Sequence, residues 1–246
     1  MKAIIPAAGY GTRLHPLTKS MPKALLEVKG EPVINHIMRK IEEVGAVDEV
    51  FIVTNARYYE KFAEWCREFS KKTKMKLKVL NDGTTSNENR LGAIGDKRFV
   101  VRKEKIDDDV LVISGDNLFD FSLKEMHSLF REKGVPVVGL YDVESREKAK
   151  LYGVVSVDSN GKMTGFQEKP SEPKSTLAST GIYFYTRESI ALLDKYAEEG
   201  NSMDQPGNFV QWLHKNTAVY GHAPRGNWFD IGSIESLEKA RKEFSP

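Results

Sequence analysis

Two glycines and two cations lie close together near the start of the chain, in Ala7-Ala8-Gly9-Tyr10-Gly11-Thr12-Arg13-Leu14 and, behind a proline, in Pro22-Lys23-Ala24-Leu25-Leu26. A short apolar run, Ala3-Ile4-Ile5, precedes them. Glycines let backbone N–H groups approach an anion with no Cβ in the way. Arg13 and Lys23 add full positive charge for phosphate oxygens. The combination implies a loop built around a nucleoside triphosphate, contacted by Ala8, Gly9, Gly11, Thr12, Arg13 and Lys23. Two commoner phosphate motifs are excluded. G-x-G-x-x-G fails because position 14 is Leu, and the P-loop fails because no Lys follows Gly11. For the bare G-x-G, a glycine turn beside a solvated Arg13 is the competing explanation. The string through Lys23 is far more specific.

Two acids also invite a chemical role. Asp116 directly follows the apolar run Val110 to Ser114, in Gly115-Asp116-Asn117. Open α/β sheets bind ligands beyond the carboxyl ends of their strands, and a carboxylate there can hold Mg²⁺ against a triphosphate. A turn aspartate after glycine explains the dipeptide equally well. Asp230 lies in Asn227-Trp228-Phe229-Asp230-Ile231-Gly232-Ser233, among apolar residues, where an idle acid is costly. The alternative is an aspartate interacting with the dipole of the last helix. His15, His36, His127, His214 and His222 show no metal-ligand spacing, and no G-x-S-x-G nucleophile motif occurs.

These residues need elements to position them. The spacing predicts a buried strand over 2–7, ended by Pro6. Pro32 opens a helix that Gly45 closes, with Val33, Ile34, Ile37, Met38, Ile41 and Val44 on one stripe. A strand at 50–53, a helix carrying Tyr58, Phe62, Trp65 and Phe69, and a strand with Met75, Leu77 and Val79 follow. Such alternation implies right-handed crossovers and a mostly parallel sheet. The polar run Asp82 to Arg90 reads as a functional or flexible loop, and 91–101 as a helix. Ser122 and Glu125 predict a capping box for the next helix, which Gly134 stops before a strand at 135–141. Beyond residue 142 the pattern turns more antiparallel. Strands at 153–157 and 162–167 flank the turn Asp158-Ser159-Asn160-Gly161. A strand at 178–185, a helix at 188–199 and a loop at Pro206-Gly207 come next. A short helix with Phe209, Trp212 and Leu213, a strand at 217–221 and a final helix complete the chain. One domain spanning 1–246 is expected, with a nucleotide half over about 1–142 and a substrate half over about 143–246.

Composition sets the class. A chain of 246 residues with 40% hydrophobic residues can bury a substantial core. A net charge of +2 leaves no nucleic-acid footprint. Cys66 is alone, so no internal disulfide is possible and a reducing compartment is expected. Residues 1–9 do not resemble a signal peptide, and no apolar run approaches the roughly 20 residues that span a bilayer. A soluble, cytoplasmic protein without membrane or nucleic-acid partners is expected, with a homo-oligomer as a reasonable prior.

The segment A-A-G-Y-G-T-R-L-H-P-L-T-K-S-M-P-K-A-L-L resembles the signature of the sugar-phosphate nucleotidyltransferases. That family includes glucose-1-phosphate thymidylyl-, uridylyl- and cytidylyltransferases and mannose-1-phosphate guanylyltransferases. The resemblance continues in order along the chain. It makes Asp116 in S-G-D-N and Asp230 in W-F-D-I-G-S a pair of Mg²⁺ ligands. It makes Tyr152, Gly153, Thr180 and Gly181 the lining of a sugar pocket. Within Glu168-Lys169-Pro170 it gives sugar hydroxyls to Glu168 and the sugar phosphate to Lys169. Without the other motifs, those two would read as a surface ion pair. It makes Gly92 the close-approach glycine at the nucleobase. The loop before Gly92, Thr84-Thr85-Ser86-Asn87-Glu88-Asn89-Arg90-Leu91, departs from the family's Q-P-x-x-x-G-L and L-G-T-A-G-A-L patterns, so Asn87 and Asn89 are both candidates to read the base. The implied fold is α/β and Rossmann-like, three layers around a mixed, mainly parallel sheet with a smaller substrate lobe.

The resemblance implies Mg²⁺-dependent transfer of a nucleoside monophosphate from an NTP to a sugar 1-phosphate, with release of pyrophosphate. Glucose 1-phosphate with dTTP or UTP is the expected pair. Arg13, Lys23 and Asp116 are the expected catalytic residues. Two rivals share much of this pattern: a nucleotidyltransferase for a non-sugar phosphate such as phosphocholine or inositol phosphate, and a non-catalytic sensor of nucleotide sugars.

Overall fold

In the computed structural model, which describes residues 1–246, the first apolar run forms strand β1 (Lys2–Pro6). Ala3 and Ile5 are buried on one face of it and Ile4 on the other. After the glycine loop come a two-residue ribbon, β2 (Glu27–Val28) with β3 (Glu31–Pro32), and helix α1 (Val33–Val44). Pro32 stands immediately before α1, and Gly45 ends it in the left-handed region at φ 72°. Then follow β4 (Glu49–Thr54), α2 (Tyr59–Phe69), β5 (Lys76–Asn81), α3 (Gly92–Lys103) and β6 (Val110–Ile113). Next are β7 (Asn117–Phe119), α4 (Lys124–Lys133), β8 (Val137–Asp142) and the single turn α5 (Arg146–Ala149). The second half holds β9 (Gly153–Val157), β10 (Met163–Glu168), β11 (Leu177–Tyr185), α6 (Arg187–Ala191) and α7 (Leu193–Glu198). It ends with α8 (Pro206–Asn216), β12 (Tyr220–His222), β13 (Trp228–Asp230) and α9 (Ile234–Glu243).

The main sheet runs β10-β9-β11-β6-β1-β4-β5, with β8 beside β11 and β12 beside β8. The pairs β1/β4, β1/β6 and β4/β5 are parallel, while β11 turns antiparallel against β6, β8 and β9. The mixed, mainly parallel α/β expectation therefore holds; β9, β10 and β11 pair antiparallel as the hairpin pattern indicated, while β12 pairs parallel with β8. Residues of α1, α2, α4 and α9 join the core on one face. Those of α3, α6, α7 and α8 join it on the other. The chain leaves β1 towards β4 and later returns to β6 on the opposite side, so a crevice opens beyond the carboxyl end of β1.

Four local expectations are corrected. Ser122 and Glu125 form no capping box. Leu123, fully buried, takes the cap position, and the Ser122 hydroxyl accepts only the Lys124 N–H at 3.3 Å. The helix expected at 188–199 breaks into α6 and α7 at Leu192. Ile190, Leu193 and Tyr196 recur every three residues and are all buried, which a tightened turn satisfies better than a continuous α-helix. Pro206 and Gly207 are the first turn of α8, where proline's missing N–H has no partner to lose. The segment before the last helix contains β13, which pairs with β7 in a small separate ribbon.

Helix α3 holds an unexpected group. Lys97 shares the core-facing side with Ile94 and Val100 and is 1% exposed. Its ammonium lies 5.4 Å from the ring centre of Tyr183, 5.6 Å from Tyr185 and 5.7 Å from Phe209, and has no hydrogen-bond partner. Burial pulls its pKa down to about 7, with Asp96 opposing. The unfolded chain binds this proton up to the ordinary lysine value of 10.5, whereas the folded chain releases it near 7. The group's contribution to stability therefore rises with pH across that window. Lys97→Met is expected to stabilise the fold by about 1–4 kcal/mol at pH 6, as replacement of buried charge by apolar volume does. The gain should shrink towards pH 10. Melting temperatures at both pH values test this, and a variant that melts lower at pH 6 would refute it.

Candidate active site

The chain after β1 is folded back on itself by three short 3₁₀ turns, Thr12–Leu14, Leu17–Lys19 and Lys23–Leu25. Asn55, buried at the end of β4, donates its side-chain N–H to the Ala8 carbonyl at 2.7 Å. The buried Tyr58 hydroxyl donates to the carbonyl of Thr18 at 2.5 Å. The Thr18 hydroxyl in turn donates to the Gly11 carbonyl at 2.7 Å. Gly11 has φ 60°, and a Cβ on it would lie 3.0 Å from both Lys23 Cγ and Thr18 Cγ2. Gly11 thus lets the loop close over the Lys23 stem.

A cavity of about 1050 Å³ opens along this edge of the sheet. Ala8, Gly9, Arg13 and Lys23 line it, but Gly11 and Thr12 do not. Gly11 permits the turn, and Thr12 is exposed.

The two acids, separated by more than a hundred positions, meet here. The Ile231 N–H donates to the Asp116 carbonyl at 2.9 Å, and Asp230 stands opposite Asn117 in the β7/β13 ribbon. Lys23 Nζ donates to Asp116 Oδ2 at 2.5 Å. Burial opposes the Lys23 charge, but Asp116 and then Asp230 outweigh it, so its pKa is raised. Burial and the neighbouring Asp116 charge push the Asp230 carboxyl up, while Lys23 and Arg13 hold it down. Two carboxylates and two cations therefore share one end of the cavity. No group of three acidic, histidine or cysteine side chains surrounds them. That donor set suits magnesium, which takes one or two carboxylates and completes its shell with phosphates and water.

The other expected residues line the same cavity. Tyr152 stands immediately before β9, Gly153 starts it, and Glu168 ends β10. Burial, then the Asp230 charge, pushes the Tyr152 hydroxyl up to about 12. Burial also raises the Glu168 carboxyl, against the pull of Lys169. Lys169 has φ 43°, a conformation rarely adopted by residues with a side chain, and its ammonium donates to Gln205 Oε1 at 2.8 Å. Thr180 and Gly181 lie in an irregularity of β11. The Thr180 hydroxyl is engaged by the Gly139 carbonyl at 2.9 Å. Gly181, at φ 78°, leaves space that a Cβ would deny to Asn117 and Ser114.

At the third corner Gly92, with φ 83°, opens α3 on the cavity wall. Neither Asn87 nor Asn89 reaches that wall. Asn89 Oδ1 accepts the N–H groups of Thr85 and Ser86 at 3.2 and 3.0 Å, so its amide ties down its own loop. Arg90, Ala93 and Asp96 line the cavity there instead. Asp96 is 6% exposed, its Oδ1 has no partner, and burial with the nearby Asp82 charge pushes its carboxyl up to about 8. Asp204, Gln205 and Gly207 also line the cavity. The sequence reading missed all of these. The chain spacing offered one signal, since Lys97 falls on the apolar stripe of α3 and carries its neighbour Asp96 inward.

Comparisons agree with this arrangement. The family profile described as nucleotidyl transferase matches residues 2–245. The bifunctional protein GlmU of Methanocaldococcus jannaschii is 29% identical over 242 residues, covering 98% of this chain and 54% of GlmU. The UTP–glucose-1-phosphate uridylyltransferase of Synechocystis sp. is 30% identical over 248 residues, covering 98% of this chain and 62% of that protein. The chain thus spans little more than half the length of these relatives. A solved Bacillus anthracis structure, provisionally named a glucose-1-phosphate thymidylyltransferase in complex with sucrose, superposes with a TM-score of 0.85. It is 24% identical and the match covers 100% of this chain and 97% of that one, a likeness of fold. Because the profile runs from the first strand to the last helix and takes in every wall of the cavity, the chain belongs to the nucleotidyl transferase family.

Proposed function

We propose that the chain transfers a nucleoside monophosphate from a nucleoside triphosphate to a sugar 1-phosphate, releasing pyrophosphate, with glucose 1-phosphate and dTTP or UTP as the first pair to test. The observation that carries this reading is one cavity lined by Arg13, Lys23, Asp116 and Asp230 together with Glu168 and Lys169. It offers one set of charges for a triphosphate and a separate cation beside a hydroxyl-accepting carboxylate.

An oxygen of the acceptor phosphate attacks the α-phosphorus. The bond from that phosphorus to the bridging oxygen of the β-phosphate breaks in line, and pyrophosphate leaves with the electron pair. Positioning and charge neutralisation matter more here than a covalent intermediate. Lys169 draws in the acceptor phosphate and lessens the repulsion between two anions. Glu168 accepts hydrogen bonds from the ring hydroxyls. Lys23 moves from Asp116 to the α-phosphate, and Arg13 takes the leaving pyrophosphate. Gly9 presents its backbone to the phosphates. Asp116 and Asp230 would hold magnesium, which supplies charge that offsets the triphosphate and orients it.

A grid of nucleoside triphosphates against sugar 1-phosphates and phosphocholine, with Mg²⁺ and pyrophosphate as readout, tests the proposal. Turnover with a sugar 1-phosphate supports it. Turnover with phosphocholine alone, or with nothing, overturns it.

Gly207 adds a sharper check. A Cβ on it would lie 1.9 Å from Glu168 Oε2 and 2.5 Å from the Phe166 ring. Gly207→Ala is therefore expected to evict the Glu168 carboxylate and raise the acceptor KM about tenfold, while the nucleotide KM stays within about twofold. Equal effects on both substrates would show that Glu168 does not serve the acceptor.

A further inference from the structure

The segment 203–207 joins the start of α3 to Glu168 and Lys169 along the cavity wall, and no residue of it takes part in the reaction outlined above. It runs from the end of the α7 region into α8. On one side it is fastened to the start of α3. The Ala93 N–H donates to the Asp204 carbonyl at 3.0 Å, and the Ile94 N–H to the Met203 carbonyl at 2.9 Å. Gly92 permits this approach. A Cβ there would lie 2.5 Å from the Met203 oxygen and 2.6 Å from Asp204 Cα. The side chains repeat the attachment. Arg90 Nε donates to Asp204 Oδ1 and Arg90 Nη2 to Asp204 Oδ2, both at 3.1 Å, a two-point fork.

On the other side the same segment holds the acceptor end. Gln205 Nε2 donates to Asp204 Oδ2 at 3.2 Å, and Gln205 Oε1 accepts from Lys169 Nζ at 2.8 Å. Gly207 packs against the Glu168 carboxylate. The result is an unbroken relay, Arg90 to Asp204 to Gln205 to Lys169. It joins the loop before Gly92 to a lysine whose backbone sits at φ 43°. A side chain in that strained region stays there only when its surroundings hold it.

We propose that Asp204 and Gln205 are positioning residues that couple the two substrate sites, so that the loop at the nucleotide end, through Arg90, sets the pose of Lys169 for the acceptor phosphate. This rests on the reading of the cavity given under Proposed function. The fork at Asp204 is half-exposed and would add little to stability as an isolated pair. Its effect is geometric. It orients the Asp204 carboxylate, which orients the Gln205 amide, which presents its oxygen to Lys169. Loss of Arg90 frees the Asp204 carboxylate to turn, and the amide can then invert and present N–H to the lysine instead of oxygen.

Two measurements on the full chain test the coupling. Hydrogen exchange compares the wild type with Arg90→Gln at the peptide spanning 166–170, which Arg90 does not touch. Exchange there is expected to accelerate severalfold, and unchanged exchange overturns the relay whether or not any substrate pair turns over. Steady-state kinetics then use the nucleotide and sugar phosphate that react in the grid. Arg90→Gln, Asp204→Asn and Gln205→Ala are each expected to raise the acceptor KM about fivefold to tenfold, although Arg90 lies at the nucleotide end. The Arg90→Gln/Asp204→Asn double variant should be no worse than either single change. Additive losses, or an Arg90 effect confined to the nucleotide KM, would refute the coupling. A grid with no turnover at all would instead defeat the function reading, leaving the exchange experiment to decide the relay.

Discussion

Replacing Asp116 with asparagine is expected to leave about one thousandth or less of the wild-type rate of pyrophosphate release, a loss of roughly 4 kcal/mol of transition-state stabilisation. Asparagine keeps the shape and removes the charge. The backbone carbonyl of residue 116 still accepts from Ile231, so the β7/β13 ribbon should survive, while Lys23 loses its ionic partner and the melting temperature should fall without loss of the fold. On the proposed function, what is lost is one of the two carboxylates that would hold magnesium. The remaining Asp230 carboxyl, raised partly by the Asp116 charge, becomes easier to ionise but stands alone. The check is pyrophosphate release at several Mg²⁺ concentrations. A rate within about tenfold of wild type, a loss of only about 1.4 kcal/mol, would show that Asp116 is not a metal ligand.

Lys23→Met is expected to lower kcat by about 10²–10³-fold, the usual cost of removing one charged or hydrogen-bonding group aimed at a developing charge. Its ammonium donates to Asp116 and feels the charges of Asp230 and Arg13. Methionine keeps the stem that packs under Gly11 and deletes the charge, so two carboxylates lose their main partner. A fall in melting temperature is therefore expected as well. Lys23→Arg separates the two effects. It restores charge to the carboxylates, and so most of the stability, while its longer planar head fits the α-phosphate poorly and leaves kcat depressed. Wild-type kcat within about fivefold in Lys23→Met would place the lysine outside the reaction.

The glycine loop was legible because its function depends on neighbours in the chain. A small-residue turn after an apolar strand, with cations at 13 and 23, is a local arrangement. Spacing alone does not show how closely Gly11 packs on Lys23 and Thr18, which lets the loop close. The loop at 84–91 shows the opposite case. Its asparagines had the right chemistry to read a base, yet the Asn89 side-chain oxygen accepts the N–H groups of Thr85 and Ser86 within its own loop. Local side-chain-to-backbone hydrogen bonds of this kind compete with other uses of an asparagine. The short strands β7 and β13 carried too few residues for a periodic signal, although they hold the two acids together.

By itself the sequence determined much of the local half of this protein: where the long strands and helices run, where phosphate-binding backbone can form, and that Asp116 follows a buried strand. These properties follow from residue type and near spacing, through φ preferences, apolar periodicity and charge. Residue type and spacing left open which distant groups meet; the family resemblance paired Asp116 with Asp230, and the tertiary structure gives the physical means. The order β11-β6-β1-β4 and the β7/β13 ribbon bring Asp230 beside Asp116. The segment 203–207 crosses from Gly92 to Lys169. Such meetings depend on how layers stack and strands are ordered, and no spacing along one chain records that order.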